Sequence, residues 1–89
     1  MPTERDRQRI DKWLWHARVV RTRGAAAALA SSGYVGVNGA RIRGPGRMVR
    51  IRDVVTVALD RVVRVLKVRS FIDRRGAAVA GQSLYEELT

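Results

Sequence analysis

At Gly33 the spacing of apolar residues changes from helical to alternating, and this change constrains the fold more than any other feature of the chain. Before Gly33, apolar residues recur at the i, i+3, i+4, i+7 spacing of one helix face: Ile10, Trp13, Leu14 and Ala17. After it, Val35 and Val37 alternate as in a strand, and Asn38-Gly39 is a favoured dipeptide for a tight hairpin turn. The sequence therefore predicts helices first and hairpins afterwards.

Two short helices are predicted before Gly33. Asp11 can cap the first, which would begin at Lys12 and run for roughly two turns. Thr22 can cap the second, through the alanine-rich residues 24–30, and Gly33 suits the left-handed position that ends it. The return strand of the hairpin covers residues 41–43, a loop covers 44–46, and further strands are predicted over 48–59 and 61–69. The predicted fold class is α+β, with two N-terminal helices packed on a small, mainly antiparallel sheet.

The predicted domain covers residues 9–69. Residues 1–8 are expected to be a flexible segment. Residues 70–89 form a C-terminal extension that packs on the domain or is partly helical, with an exposed turn at 74–76. A chain of 89 residues is long enough for one domain with a modest core.

Positive charge is concentrated in the middle of the chain. The formal net charge is +10, from 18 basic and 8 acidic residues. The part from Lys12 to Arg52 has nine basic residues and no acidic one: Lys12, Arg18, Arg21, Arg23, Arg41, Arg43, Arg47, Arg50 and Arg52. Such a surface favours a polyanionic partner, and arginine binds phosphate bidentately. A genome rich in G and C would also favour arginine, so composition alone leaves both interpretations open.

Several classes of function are not expected. The chain has no cysteine and one histidine, His16, so neither disulfides nor the common zinc sites can form. Its apolar stretches are too short to span a bilayer, and residues 1–7 do not look like a secretory signal, which predicts a cytoplasmic protein. No catalytic residues, metal or cofactor are predicted, and a monomer is the expected state.

Three short motifs occur in fixed order, and together they resemble the RNA-binding domain named after protein four of the small ribosomal subunit (the S4 or alpha-L RNA-binding motif). The family pattern runs Arg-Leu-Asp-x-x-Leu, Ser-Arg-x-x-Ala and Gly-x-Val-x-Val-Asn-Gly. The matching residues are Arg9-Ile10-Asp11 with Leu14, Thr22-Arg23 with Ala26, and Gly33-Tyr34-Val35-Gly36-Val37-Asn38-Gly39. The resemblance implies an RNA-binding protein.

Further residues resemble a ribosome-associated heat-shock subgroup of that family: Lys12-Trp13-Leu14-Trp15, Arg18, Arg21-Thr22-Arg23, Arg74-Arg75 and Leu84-Tyr85-Glu86-Glu87. This resemblance implies binding to ribosomal RNA of a large subunit that is blocked by peptidyl-tRNA, in ribosome rescue or quality control, with tRNA as a further candidate partner. The sequence departs from the pattern at Thr22, Ala27 and Ala30. It also departs at Arg52, which stands where Gly usually precedes Asp53 and is expected to force a different turn.

The resemblance places the RNA contacts on the two helices and the adjoining hairpin: Arg9, Lys12, Arg18, Arg21, Thr22, Arg23, Asn38, Arg41, Arg43 and Arg47. Arg21 and Arg23 flank a helix start, where free N–H groups favour phosphate. Replacing both with Glu is therefore expected to abolish binding and leave the thermal melt nearly unchanged. Arg9 could instead pair with Asp11.

Other residues have two interpretations. Trp15 and Tyr34 could stack on bases or pack within the fold, whereas Trp13 is expected in the core. The basic residues of the later strands are expected to be solvated or to protect sheet edges: Arg50, Arg52, Arg61, Arg64, Lys67 and Arg69. Two alternative functions stay open. One is an accessory RNA-binding module of an RNA-modifying enzyme, and the other is a general nucleic-acid-binding or ribosomal structural protein.

Overall fold

A computed structural model describes residues 6–73 and 81–89. The elements follow in the order β1 (Arg7–Arg9), α1 (Ile10–His16), α2 (Arg23–Ser31), β2 (Val35–Val37), β3 (Ala40–Arg41), β4 (Met48–Arg50), β5 (Val54–Ala58), β6 (Val63–Val68) and β7 (Tyr85–Glu87). Five strands form an antiparallel sheet in the order β3-β2-β5-β6-β7. The predicted α+β class, with two helices before a mainly antiparallel sheet, is confirmed.

The hairpin turn is the one that its dipeptide predicts. Asn38 and Gly39 both have positive φ, at 52° and 84°, as a type I′ turn requires. The side chain of Asn38 also joins the hairpin to β5, because its Nδ2 donates to Asp53 at 3.0 Å and its Oδ1 accepts from the Val54 N–H at 2.9 Å. Asn38 is therefore held within the fold on both ends of its amide.

The start of α1 differs from the prediction. The helix begins at Ile10, its N-cap is Arg9, and Asp11 lies inside the first turn. Loop carbonyls, rather than a capping side chain, accept hydrogen bonds from the free N–H groups at the start of the helix. The Ile10 N–H donates to the Arg47 oxygen at 2.8 Å, and the Asp11 N–H donates to the Pro45 oxygen at 3.4 Å. The assignment of Asp11 as N-cap was wrong because those carbonyls come from a loop more than thirty residues away.

The bounds of α2 agree with the sequence pattern. The Thr22 hydroxyl accepts the Ala25 N–H at 3.0 Å, which confirms Thr22 as the cap. At the other end Gly33 has a φ of 85°, and the Tyr34 N–H donates to the Leu29 oxygen at 3.1 Å, as in a Schellman motif.

A second, two-stranded sheet lies at the start of the chain. In it, β1 pairs antiparallel with β4, so Arg7 lies opposite Arg50 and Gln8 opposite Val49. Gln8 is buried, and its amide nitrogen donates to the Ile72 oxygen at 2.9 Å. Order therefore begins at least two residues before Arg9, the expected first residue of the domain, and β4 does not join the larger sheet.

The last strand of the chain, β7, forms one edge of the larger sheet. Strand β7 pairs with β6, so residues 85–87 are extended and packed on the domain, whereas Gly81 and Gln82 are helical. Arg64 of β6 makes two hydrogen bonds to Glu87, at 3.1 and 2.6 Å, and one to the Tyr85 hydroxyl. Arg64 was expected to be solvated or to protect a sheet edge, and it pairs with side chains of the neighbouring edge strand. The turn predicted at 74–76 lies outside the described residues.

Trp13 lies fully buried in the core, as predicted. Its indole N–H donates to the Ser70 oxygen at 3.2 Å, and Nδ1 of the buried His16 donates to the Ile72 oxygen at 2.8 Å. These two hydrogen bonds hold the backbone of residues 70–72 against α1. Among the described residues, no helix is long and apolar enough to cross a membrane.

Two arginines occupy left-handed positions that usually favour glycine. Arg18, with a φ of 60°, ends α1 in a Schellman motif, in which its N–H donates to the Trp15 oxygen and that of Val19 to the Leu14 oxygen. Arg52 has a φ of 77°. The arginine thus adopts a conformation typical of glycine at the position where the family pattern has Gly.

Candidate nucleic-acid interface

The buried carboxylate of Asp11 organises the surface where the two helices begin. Arg9 binds it bidentately, with Nε to Oδ1 and Nη2 to Oδ2 both at 3.2 Å. Arg23 Nε lies 3.5 Å from Oδ2, and the Lys12 N–H donates to Oδ1 at 2.8 Å. The side chain of Asp11 is 5% exposed, while those of Arg9 and Arg23 are 48% and 43% exposed. One buried acid thus fixes two arginines that still face solvent.

These arginines line a shallow concavity, which we call the helix-start concavity. Its volume is about 260 Å³, and it is lined by Arg7, Gln8, Arg9, Lys12, Arg23, Met48 and Asp73. Four cations and one acid therefore face it, with Asp11 buried against two of the cations. The field of such a surface attracts an anion, and the fork of an arginine held on one side by a carboxylate loses less entropy when it binds phosphate.

The concavity unites three of the predicted contact residues: Arg9, Lys12 and Arg23. The structure also shows that Arg9 makes the ion pair with Asp11 considered as its alternative role. Arg7 joins the same surface and was missed by the sequence analysis. The alternation of Arg7, Gln8 and Arg9 could have indicated a strand with a buried centre, but three residues are too few to identify one.

The start of α2 adds further positive charge. Arg21, Thr22 and Arg23 are exposed at this end of the helix. Among the described residues Arg21 makes no hydrogen bond or ion pair, whereas Arg23 is joined to Asp11. The Thr22 hydroxyl is used as the helix cap. Arg21 is consequently the cation at this helix end whose guanidinium is unpaired within the described part of the chain.

Of the remaining predicted contacts, Arg18 is exposed just after the C-terminal end of α1, and the others lie on the hairpin and the following loop. Arg41 and Arg43 are exposed on either side of the buried Ile42, and Arg41 crosses Gly33, where an added Cβ would lie 3.3 Å from Arg41 Cδ. Arg47 is exposed, with Nε at 3.4 Å from the Met48 oxygen. None of the three lines the helix-start concavity. The structure therefore does not bring the whole predicted set together in one place.

The two candidate stacking residues have different surroundings. Trp15 is half-buried, and its ring centroid lies 5.2 Å from that of His16. Tyr34 is 54% exposed and lines a groove with Arg41. Of the two, Tyr34 offers the more accessible ring face.

Chemically, this surface can bind an anion. No group of three or more His, Cys, Asp or Glu residues that could hold a metal ion occurs in residues 6–73 and 81–89. His16 is buried and hydrogen-bonded to a backbone carbonyl. The exposed cations are side chains that can bind phosphate.

Comparison with known proteins identifies this arrangement. A profile of the S4 domain matches residues 8–55, which begin within β1 and include both helices, the β2–β3 hairpin, β4 and the start of β5. The chain therefore belongs to the S4 domain family, and this membership supports an RNA-binding role.

Within the family the chain is similar to heat shock protein 15. It is 34% identical over 79 residues to that protein from Escherichia coli K12 and 37% identical to a homologue from Aeromonas salmonicida. In both cases the match covers 89% of this chain and 59% of the relative, so the chain spans less than two thirds of their length. A trimeric structure of heat shock protein 15 from Vibrio cholerae aligns with a TM-score of 0.84 at 33% identity, covering 92% of this chain and 82% of that one.

Proposed function

We propose that this protein binds folded ribosomal RNA of the large subunit through the helix-start concavity, Arg21 and the hairpin arginines, and that it acts in ribosome rescue or quality control. The observation that carries the proposal is the arrangement of Arg9 and Arg23 around the buried Asp11. The similarity to heat shock protein 15 supports the ribosomal partner.

The geometry favours recognition of shape over recognition of sequence. The side chains that face the concavity are mostly cations, and the amide of Asn38 is already hydrogen-bonded within the fold. Contacts to phosphates position a protein on nucleic acid, while contacts to base edges specify sequence. We therefore expect binding to a structured RNA whose phosphates match the spacing of these arginines.

The first test is competition between RNA and DNA. A labelled fragment of large-subunit ribosomal RNA is bound to the protein and displaced by unlabelled fragment or by duplex DNA. We expect RNA to compete much better than DNA. If about 6 to 10 cations contact phosphates, affinity should fall about 10³- to 10⁵-fold between roughly 50 and 200 mM salt. Equal competition by both nucleic acids would contradict the proposal and indicate general nucleic-acid binding.

The second test identifies the ribosomal state. The protein is sedimented with free large subunits that are vacant, with large subunits that carry peptidyl-tRNA, and with intact ribosomes. Preferential pelleting with the peptidyl-tRNA complex supports the role in rescue. If the protein pellets equally with vacant subunits, peptidyl-tRNA complexes and intact ribosomes, RNA binding is still supported but the role in rescue is contradicted.

A further inference from the structure

Two arginines face each other across the small sheet. Arg7 of β1 lies directly opposite Arg50 of β4, and both are exposed. Residues directly opposite on neighbouring strands have Cβ atoms roughly 4.5–5.5 Å apart, and side chains of like charge at such opposite positions are destabilising. An anion bound between the two guanidinium groups would remove this repulsion.

A third arginine lies two residues further along, in a strained backbone conformation. Arg52 has a φ of 77°, which a residue with a Cβ adopts at a cost. Its position is determined by hydrogen bonds, because the Arg52 N–H donates to the Val68 oxygen and the Val68 N–H to the Asp53 oxygen, both at 2.8 Å. Glycine would fit this turn at lower cost, so the arginine is present against the conformational preference of its backbone.

Arg52 lines a groove of about 520 Å³, which we call the Arg52 groove. Its lining residues come from the turn after β4, the C-terminal end of β6 and strand β7: Ile51, Arg52, Lys67, Val68, Arg69 and Glu86. Lys67 lies opposite Glu86 in the β6–β7 register, so these two charges offset each other. Arg52 and Arg69 are exposed and form the cationic excess of the groove.

The pair of Arg7 and Arg50 connects the two basic surfaces. Arg7 lines the helix-start concavity, and Arg50 is two residues from Arg52, a chain distance of at most about 7 Å. A basic path therefore leads from Arg9 and Arg23 across the small sheet to the Arg52 groove.

We propose that this path binds a second segment of the RNA backbone, so that the contact surface extends beyond the helices and hairpin to Arg7, Arg50, Arg52 and Arg69. The proposal rests on the proposed RNA-binding function and adds the region that a second segment would occupy. Arg50, Arg52 and Arg69, which the sequence analysis assigned to solvation or edge protection, are then phosphate contacts. Like-charge repulsion and backbone strain are the two costs that the free protein carries along this path.

Replacing Arg52 with glycine separates these roles, because stability and binding should change in opposite directions. Relief of strain in Arg52→Gly should raise the melting temperature of the free protein by roughly 2 to 6 °C. Loss of the guanidinium should weaken binding of the ribosomal RNA fragment. A stabilised variant with unchanged RNA affinity would show that Arg52 makes no contact.

The double variant Arg52→Gly/Arg69→Gln tests the groove as a unit. Its control is Arg61→Glu, which changes the net charge by the same amount. Arg61 lies in the β5–β6 turn at the far end of both strands, about 20 Å from the groove by strand length. We expect the double variant to weaken RNA binding roughly tenfold and to reduce the salt slope by about 1.4 to 1.8, for two lost phosphate contacts. The control should change both much less.

The outcomes separate this proposal from the proposed function. If the groove variants bind as the wild type does while Arg21→Glu loses affinity, the path is overturned and the RNA-binding surface remains at the helices. Equal effects of the double variant and Arg61→Glu would mean that net charge alone matters, which also overturns the path. If neither groove nor helix variants alter binding, both proposals fail.

Discussion

Arg23, the first residue of α2, lies with its Nε 3.5 Å from the carboxylate of Asp11 in the first turn of α1, and Arg9 binds the same carboxylate bidentately. This buried acid joins the two helices and orients both arginines. Asp11→Asn keeps the shape but removes the charge. The guanidinium groups of Arg9 and Arg23 would then face a neutral amide. This change should lower the free energy of unfolding, measured by chemical denaturation, by about 1–3 kcal/mol.

The same variant tests whether orientation or net charge controls binding. Asp11→Asn raises the net charge, so charge alone predicts tighter binding of RNA. We expect weaker binding, because Arg9 and Arg23 lose their orientation. The control is Asp60→Asn at an exposed turn, which makes the same change in charge and should bind RNA as well as the wild type or slightly better. Tighter binding by Asp11→Asn would show that orientation is unimportant.

The arginines at the start of α2 should respond differently to substitution. Arg21 has no ion pair among the described residues, so Arg21→Glu should weaken RNA binding at least tenfold and change stability by less than about 0.5 kcal/mol. Arg23→Glu would place a second carboxylate beside Asp11 and should reduce stability as well. We therefore expect an unchanged melt for Arg21→Glu and a lowered one for Arg23→Glu. Thermal melts and filter-binding assays on each single variant would measure both effects.

Asn38 provides a test of a structural role against RNA contact. Asn38→Ala removes both side-chain hydrogen bonds and puts a residue poorly suited to positive φ in the turn, which should cost about 1–3 kcal/mol. Measured well below its melting temperature, the folded variant should bind RNA nearly as tightly as the wild type. A loss of affinity without loss of stability would assign Asn38 to the RNA contact.

The stability that the Arg64–Glu87 pair gives to the pairing of β6 with β7 should depend on pH. Hydrogen bonds from Arg64 hold the pKa of Glu87 below its ordinary value of 4.5, and Glu87 raises the pKa of Arg64. Because the carboxyl pKa is lowered in the folded state, this pair stabilises the protein above pH 4.5, and the contribution disappears as pH falls through the folded pKa.

Both groups are partly exposed, so the pair should contribute no more than about 1 kcal/mol. Glu87→Gln should lower the melting temperature at pH 7 and have little effect near pH 3. The difference between the melts of wild type and variant, followed from pH 7 to 3, measures this contribution. An equal difference at every pH would mean that the amide disrupts packing and that charge is unimportant.

Features encoded by neighbouring residues could be predicted from the sequence. Thr22 caps α2 with a bond to the amide three residues later, and Asn38-Gly39 defines its turn by the φ angles that these residues tolerate. The change of period at Gly33 separates the helices from the sheet. These features predicted the fold class, and the ordered motifs indicated the family, because each depends on spacing within a few residues.

Only the tertiary structure decided which distant residues share a surface. Asp11 is not a cap, because loop carbonyls already satisfy the helix start, and its burial turns it into the partner of Arg9 and Arg23. Arg7 joins the concavity because β1 pairs with a strand some forty residues away. Strand β7 likewise forms by pairing with β6. Such contacts depend on how the chain closes on itself, and the change of period at Gly33 carries no information about that closure.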